Sequence, residues 1–286
     1  MTGSYVYGVR PVIRTVAVVA ALALVVPPPA EAVPARDVTV MTFNIARARD
    51  TGGNLRPIAA TIRRARPDVV AVQEVDRSWS RSGGGDQAAE LARLLGMRHF
   101  FDPNLNCAPR DTQGDGFCQY GTAILSRHPF VPGSGRQLRL PGAAGEEPRG
   151  LARILVDVAG RRVEIFNTHL SFIEPTRVRQ MRHLEALLRR DRQAFVLGGD
   201  LNALPFYREM VSLRRVARDA AIAAGRPDLR TTALANPVRL DYLMLPRPPI
   251  DGPPGRIEAL DARVIYGPRV SDHRPLVARL RIPAGP

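Results

Sequence analysis

The stretch Phe195–Pro205, FVLGGDLNALP, decides how the rest of the chain is read. Phe195, Val196 and Leu197 have the apolar character of a buried strand reaching its end. Gly198 and Gly199 then remove all side-chain bulk. Asp200 and Asn202 follow, with Leu201 between them. A core strand that ends in a carboxylate and a carboxamide is delivering chemistry to an edge. Side chains alternate along a strand, so Asp200 and Asn202 are expected to point the same way. The glycine pair is expected to let substrate or backbone come close.

The same pattern recurs outward in both directions. DVTVMTFNI (37–45) is a strand candidate ending near Asn44, and DVVAVQEV (68–75) is another, carrying Gln73 and Glu74. LARILVDVAG (151–160) and RRVEIFNTHL (161–170) predict a hairpin whose second strand ends in Asn167, Thr168 and His169. RLDYLML (239–245) holds Asp241, and SDHRPLVARL (271–280) opens with Asp272 and His273. A further strand is expected over 121–127. Helical spacing marks 54–67, 86–96 (capped by Asp86, stopped by Gly96), 176–190 and 206–218. Short strands alternating with helices predict one mixed α/β domain over 38–281, with two packed sheets and helices outside. If the sheets align, the polar strand ends meet at one rim as a site on a rigid scaffold.

Composition bounds the partners. The 286 residues are 45% hydrophobic and 24% charged, which suits a globular chain with a substantial core. Arg10 and Arg14 precede the apolar run VAVVAALALVV (16–26), and Ala30-Glu31-Ala32 follows a proline cluster. This reads as a secretory signal peptide over 1–32, with an export destination and a mature chain from about Val33. The run falls short of the ~20 residues of a membrane span, so an uncleaved anchor over 16–26 is the lesser reading. The formal net charge is +14, and every basic residue is arginine. The absence of lysine reads as codon bias, but the basic balance favours an anionic partner: nucleic acid, a lipid headgroup or a cell-wall polymer, with a phosphorylated small molecule as the other phosphoester candidate. A solvated Arg-rich surface is the competing explanation. Cys107 and Cys118 flank CAPRDTQGDGFC, where a disulfide is expected in an exported protein. Two cysteines without a nearby histidine make a poor zinc site.

In order, TFN (42–44), QEV (73–75), YGTAILSR (120–127), NTHL (167–170), GGDLNA (198–203), LDYL (240–243) and SDHRP (271–275) resemble the endonuclease/exonuclease/phosphatase superfamily, which includes DNase I. The resemblance spans the mature chain. It implies a four-layer α/β/β/α sandwich and metal-assisted hydrolysis of a phosphoester. It makes Glu74 the main Mg²⁺ ligand, with Asn44 and Asp272 beside it and Mn²⁺ as the other candidate ion. Asp200 then orients or deprotonates the attacking water, and Asn202 donates to a phosphate oxygen. His273, held by Asp241, meets the phosphate, and His169 stands near the leaving group. Arg149, Tyr120 and Asn167 are the expected substrate contacts, although a surface arginine and a core tyrosine read equally well for the first two. Some superfamily members carry an acidic residue where this chain has Ala46, so one metal is expected. Trp79 is expected to line the cleft, whereas His99, His128 and His183 fall outside the motifs.

The chemistry agrees with these residue types. A phosphodiester is anionic and repels nucleophiles, so hydrolysis needs a cation, a placed water and donors aimed at the oxygens. The first expectation is an exported nuclease-type phosphodiesterase, acting as a monomer without an obligate protein partner. Phospholipase C or sphingomyelinase-like action would require an exposed aromatic edge near the cleft. The 6% aromatic content and the lack of a Trp/Phe-rich hairpin argue against it. An inositol or sugar phosphatase would require a narrow Arg pocket. A non-catalytic binding protein on this fold would have lost one of Glu74, Asp200, Asp241 or His273.

Overall fold

The computed structural model describes residues 34–107, 117–190, 194–247 and 256–283, together with 1–4 and 8. The apolar run at 16–26, the cleavage region before Val33 and the interior of the cysteine loop at 108–116 lie outside the described residues. Contacts divide the chain into Met1–Glu31 and Ala32–Pro286, and the strands and helices described all belong to the second unit.

Alternating apolar residues build two six-stranded sheets. The first contains β1 (Arg36–Asn44), β2 (Val69–Arg77), β3 (Arg98–Asn106), β4 (Gln119–Ser126), β11 (Glu258–Val264) and β12 (Leu276–Ile282), in the order β11-β12-β1-β2-β4-β3. The second contains β5 (Arg136–Arg139), β6 (Gly150–Val158), β7 (Arg161–His169), β8 (Phe195–Asp200), β9 (Ala217–Asp219) and β10 (Asp241–Pro246), in the order β5-β6-β7-β8-β10-β9. Val38 and Val40 of β1 face inward, against Val163, Ile165 and Val196 of the other sheet. Met41 and Phe43 of the same strand face outward, onto Ile58 and Ile62 of α1 (Arg56–Arg63) and Leu91 of α2 (Gln87–Leu95). On the far side, Phe166 and Leu197 meet Met181 and Leu184 of α3 (Glu174–Arg190) and Met210 of α4 (Arg208–Leu213). The short α5 (Ala220–Ala223) closes the inter-sheet core with Ala220 and Ala221. Helix, sheet, sheet and helix make the expected four-layer sandwich.

Strand direction sets the position of the site. β1 and β2 are parallel, as are β7 and β8. β12 and β4 run antiparallel to β1 and β2, and β10 runs antiparallel to β8. The C-terminal ends of β1, β2, β7 and β8 therefore share an edge with the N-terminal ends of β4, β10 and β12. Gly198 lies where the sheets press together, since a Cβ there would stand 2.7 Å from Ala71 Cβ of β2. A Cβ on Gly199 would stand 2.4 Å from the Thr168 carbonyl oxygen. The glycine pair thus admits neighbouring strands, not substrate.

Several elements differ from expectation. The helix expected over 206–218 stops at Leu213, and the chain enters β9 at Ala217. Asp272 and His273 sit in the loop before β12, which begins at Leu276, and His273 forms an isolated bridge with Thr232. The unexpected β3 contains Pro103, tolerated because β3 is an edge strand with a register shift at that residue.

Candidate active site

Asp200 is the hub of the site. His169 and Asp241 flank it in register on β7 and β10. Its Oδ2 accepts a hydrogen bond from Asn44 Nδ2 at 3.1 Å and lies 3.5 Å from His169 Nε2 and 3.6 Å from His273 Nε2. Its Oδ1 accepts from the Asn202 backbone N–H at 3.0 Å. That bond corrects the pleat argument. The strand ends at Asp200, and Asn202 adopts a left-handed φ of 50°. A tight side-chain-to-backbone turn brings the two side chains together, not strand alternation. Burial pushes the Asp200 carboxyl up to about 7, although His273 pulls it down.

The two histidines differ in charge. His273 Nδ1 bonds to Asp241 Oδ2 at 2.8 Å, and Asp241 is fully buried. Burial alone would lower the His273 pKa, but Asp241 and Asp200 outweigh it and raise the ring to about 10. His273 is therefore an imidazolium at neutral pH. Burial, and then Arg149, push His169 well below the usual histidine range. Its hydrogen bonding agrees. Asn202 Nδ2 donates to the Leu170 carbonyl at 2.9 Å, which fixes the amide orientation, and lies 3.1 Å from His169 Nε2. His169 Nε2 is thus an acceptor, and the ring is neutral. With both amide hydrogens engaged, Asn202 holds His169 in place in this arrangement.

Glu74 reaches the edge through a distortion. β2 gains one residue against β4 between Val72 and Val75, and Glu74 takes a φ of 54°. Such a bulge re-aims a side chain. Gln73 turns inward to Thr42 and Asn167, while Glu74 Oε1 accepts from Asn44 Nδ2 at 3.1 Å. Asp272 is joined to the same centre by Ser271 Oγ, which donates to the Asn44 carbonyl at 2.8 Å and lies 3.3 Å from Asp272 Oδ1. Two arginines missed in the sequence stand against these carboxylates. Arg47 Nε lies 3.7 Å from Glu74 Oε2, and Arg49 Nη2 lies 3.2 Å from Asp272 Oδ2. The left-handed run Ala46, Arg47 and Ala48 places them there.

Asn167 does not face the cleft. It is fully buried, donating to the carbonyls of Val72 and Ala123 and accepting from Gln73 Nε2. It clamps one sheet to the other, which corrects its expected role as a substrate contact. Arg149 is 6% exposed, and its Nη1 lies 2.8 Å from Glu147 Oε1, a carboxylate the sequence reading missed. Tyr120 is buried, and its hydroxyl is pushed up by burial and by the nearby Glu74 and Glu147. Trp79 packs edge-to-face on Tyr120 at 6.5 Å, with the Arg81 guanidinium 3.5 Å over its ring. Trp79 therefore covers the bonded Cys107–Cys118 pair and Tyr120 instead of lining the cleft.

Two groups could hold a divalent ion. Asp200, Asp241 and His273 offer ligand atoms within 4.8 Å of one another. His273 Nδ1 bonds only Asp241 Oδ2 there, and Asp241 Oδ1 has no hydrogen-bond partner among the described residues. Glu74 and Asp272 supply hard oxygen donors at the rim, with side chains 19% and 32% exposed. Asn44 is 1% exposed and its Oδ1 accepts from the Ala46 backbone N–H. It thus orients the ligands from behind. Both sets offer carboxylate oxygens to a hard cation.

The profile of the Endonuclease/Exonuclease/phosphatase family matches residues 41–273, from β1 to His273. The chain belongs to this family. Its members are metal-dependent phosphoesterases, and this endonuclease/exonuclease/phosphatase family chain is a phosphoric ester hydrolase. Among solved structures it is similar to an endonuclease/exonuclease/phosphatase from Beutenbergia cavernae DSM 12333, with a TM-score of 0.65 and 27% identity over 87% of this chain and 72% of that one. Truncated Caenorhabditis elegans TDP2 matches with a TM-score of 0.62 and 22% identity, over 86% of this chain and 98% of that one. A family protein from Leptotrichia buccalis C-1013-b matches at 0.61 and 17%, over 86% and 100%. The last two support the fold alone. No curated protein matches the chain by sequence.

Proposed function

We propose that this family member is an exported, Mg²⁺-dependent phosphodiesterase of nuclease type. One observation carries the catalytic reading. A buried carboxylate with a pKa near neutrality, Asp200, stands 3.6 Å from an imidazolium, His273, that Asp241 holds charged. A base is most effective when its pKa lies near the working pH, so Asp200 is suited to take a proton from the attacking water. His273 offers a fixed positive donor to a phosphate oxygen as charge develops there. His169, neutral and held by Asn202, lines the site as a hydrogen-bonding partner and not as an acid. Arg149, paired with Glu147 in the free protein, is the proposed donor to a second phosphate oxygen. A bound divalent ion would neutralise phosphate charge and polarise the ester. Glu74 and Asp272 would hold it, with Asn44 fixing Glu74. Mn²⁺ also suits oxygen donors.

The diester and nuclease part of the reading rests on charge: +14 carried entirely by arginine suits a polyanionic strand. Export rests on the leader-like segment, and a monomer is proposed with it. The test is turnover by residues 33–286 on DNA, RNA, bis(p-nitrophenyl) phosphate, phospholipids and inositol phosphates, with Mg²⁺ and with EDTA. Strand cleavage that EDTA abolishes, and that Asp200→Asn lowers by about 10²–10⁴-fold, is expected. Turnover confined to lipids or phosphomonoesters would overturn the substrate assignment.

A further inference from the structure

Two large aromatic side chains stand in solvent beside the site. Phe172 is 71% exposed and Phe206 is 74% exposed, and Ile173 is exposed next to Phe172. Exposed apolar side chains grouped at one place mark a contact surface, and both lie on loops that leave the catalytic strand ends. Phe172 is three residues past His169, hence within about 11 Å of it along the chain. Phe206 is four residues past Asn202, hence within about 14 Å.

The loops are fastened to each other. Arg177 Nη1 donates to the Phe172 carbonyl at 2.9 Å, and Arg177 also pairs with Glu209 at 3.0 Å in a buried ion pair. The Arg177 guanidinium lies 5.3 Å from the Tyr207 ring centroid, and Tyr207 packs edge-to-face on Phe206 at 5.3 Å. Glu146 ties the other side of the Phe172 loop, accepting from Ser171 and Thr176, to the segment that carries Arg149. Phe172 and Phe206 are thus a supported pair on the His169–Asn202 side of Asp200, not loose loop tips.

We infer that Phe172 and Phe206 hold an unpaired nucleobase of the strand being cleaved. The inference rests on the nuclease reading and adds a substrate preference to it. Bases stack on aromatic rings irrespective of sequence, with cationic side chains following the backbone. Exposed Arg208, two residues past Phe206, is suited to follow that backbone. A base within a duplex is already stacked on its neighbours, so single-stranded or frayed ends are the preferred substrate. This edge is the aromatic feature that the composition had argued against. A lipid surface is the less suited occupant. Phenylalanine also enters lipid interfaces, but the only tryptophan of the chain is buried, and vesicle binding tests that occupant.

The experiment compares metal-dependent cleavage of a single-stranded oligonucleotide, its duplex, and an abasic strand of equal length and charge. The wild type should favour the base-bearing single strand over the abasic strand by roughly tenfold or more. Phe172→Ala/Phe206→Ala should erase that ratio mainly through KM, and Phe172→Trp/Phe206→Trp should restore it. Both side chains are solvent-exposed, so circular dichroism of the alanine variant should match the wild type. Equal cleavage of base-bearing and abasic strands by the wild type would overturn the stacking inference and leave the nuclease reading standing. Turnover of bis(p-nitrophenyl) phosphate without cleavage of any strand would overturn both. Binding to phosphatidylglycerol vesicles that the alanine variant loses, with no base preference in cleavage, would assign the edge to lipid and overturn the inference.

Discussion

Glu74 holds a left-handed backbone in the middle of a strand, a conformation that costs an L-residue about 1–2 kcal/mol. Asn202 does the same just past β8. Both residues sit in the site, where the surrounding structure sustains such strain. The types and order of Asn44, His169, Asp200, Asp241 and His273 were legible because each sits at or near a strand end, and Glu74 because it follows the apolar run of β2, although the strand continues to Arg77. How Asn202 reaches its place was not, because the pleat argument assumed two more residues of strand. Arg47, Arg49 and Glu147 gave no local signal in a chain with 41 basic residues. Another buried acid makes a pH prediction. Asp102 is 2% exposed, its Oδ2 has no hydrogen-bond partner among the described residues, and burial raises it to about 7 against the pull of Arg139. An acid raised in the folded state is destabilising above its folded pKa. The folded protein holds the proton between about pH 4 and pH 7 while the unfolded chain releases it, so stability falls across that window. Thr122 lies opposite on β4 with an unpartnered hydroxyl that an amide could use. Asp102→Asn should therefore raise Tm more at pH 8 than at pH 5, with a ceiling of about 4 kcal/mol. Equal Tm changes at both pH values would show that Asp102 is ionised in the fold throughout.

At the scale of elements, periodicity identified the strands that are buried and regular. β1, β2, β6, β7, β8, β10 and β12 alternate inner-core and outer-core residues, and that pattern was readable. β3, β5, β9 and β11, the four edge strands of the two sheets, were missed for physical reasons. β3 carries Pro103 and three polar residues at its end, while β5 has four residues and β9 three. Such edge strands are held by their neighbours and not by their own pattern. The glycine pair was seen, but its partner was misjudged: the other sheet and the adjacent strand approach, and substrate does not. Gly198→Ala should therefore cost stability, because its Cβ would stand 2.7 Å from Ala71 Cβ. Overpacking of this kind costs about 1–3 kcal/mol, or roughly 2–4 °C in Tm for each kcal/mol. Gly142→Ala, which meets nothing within 4 Å, is the matched control. Thermal unfolding of the two variants decides it. A Gly198→Ala protein as stable as the control would mean the sheets yield at that point.

At the scale of the whole molecule, two sheets contribute complementary halves of one site. Asn44, Glu74 and the Asp272 loop come from the first, and His169, Asp200, Asn202 and Asp241 from the second. The Asn44–Asp200 and Gln73–Asn167 hydrogen bonds join the halves across the interface. Motif order in the sequence indicated this convergence, since strand direction sends all these ends to one edge. It could not indicate which carboxylates are already neutralised by a protein cation. Protein cations stand against both sets, His273 beside Asp200 and Asp241, Arg47 and Arg49 beside Glu74 and Asp272, and we assign the metal to the second because its donors are all oxygens and more exposed. Calorimetric titration of the metal-free protein with Mn²⁺, as a probe of the oxygen site, tests this division most directly. Binding should weaken by at least tenfold in Glu74→Gln and in Asp272→Asn, and persist in His273→Gln. Full binding in Glu74→Gln with loss in His273→Gln would place the ion among Asp200, Asp241 and His273, and would contradict the account.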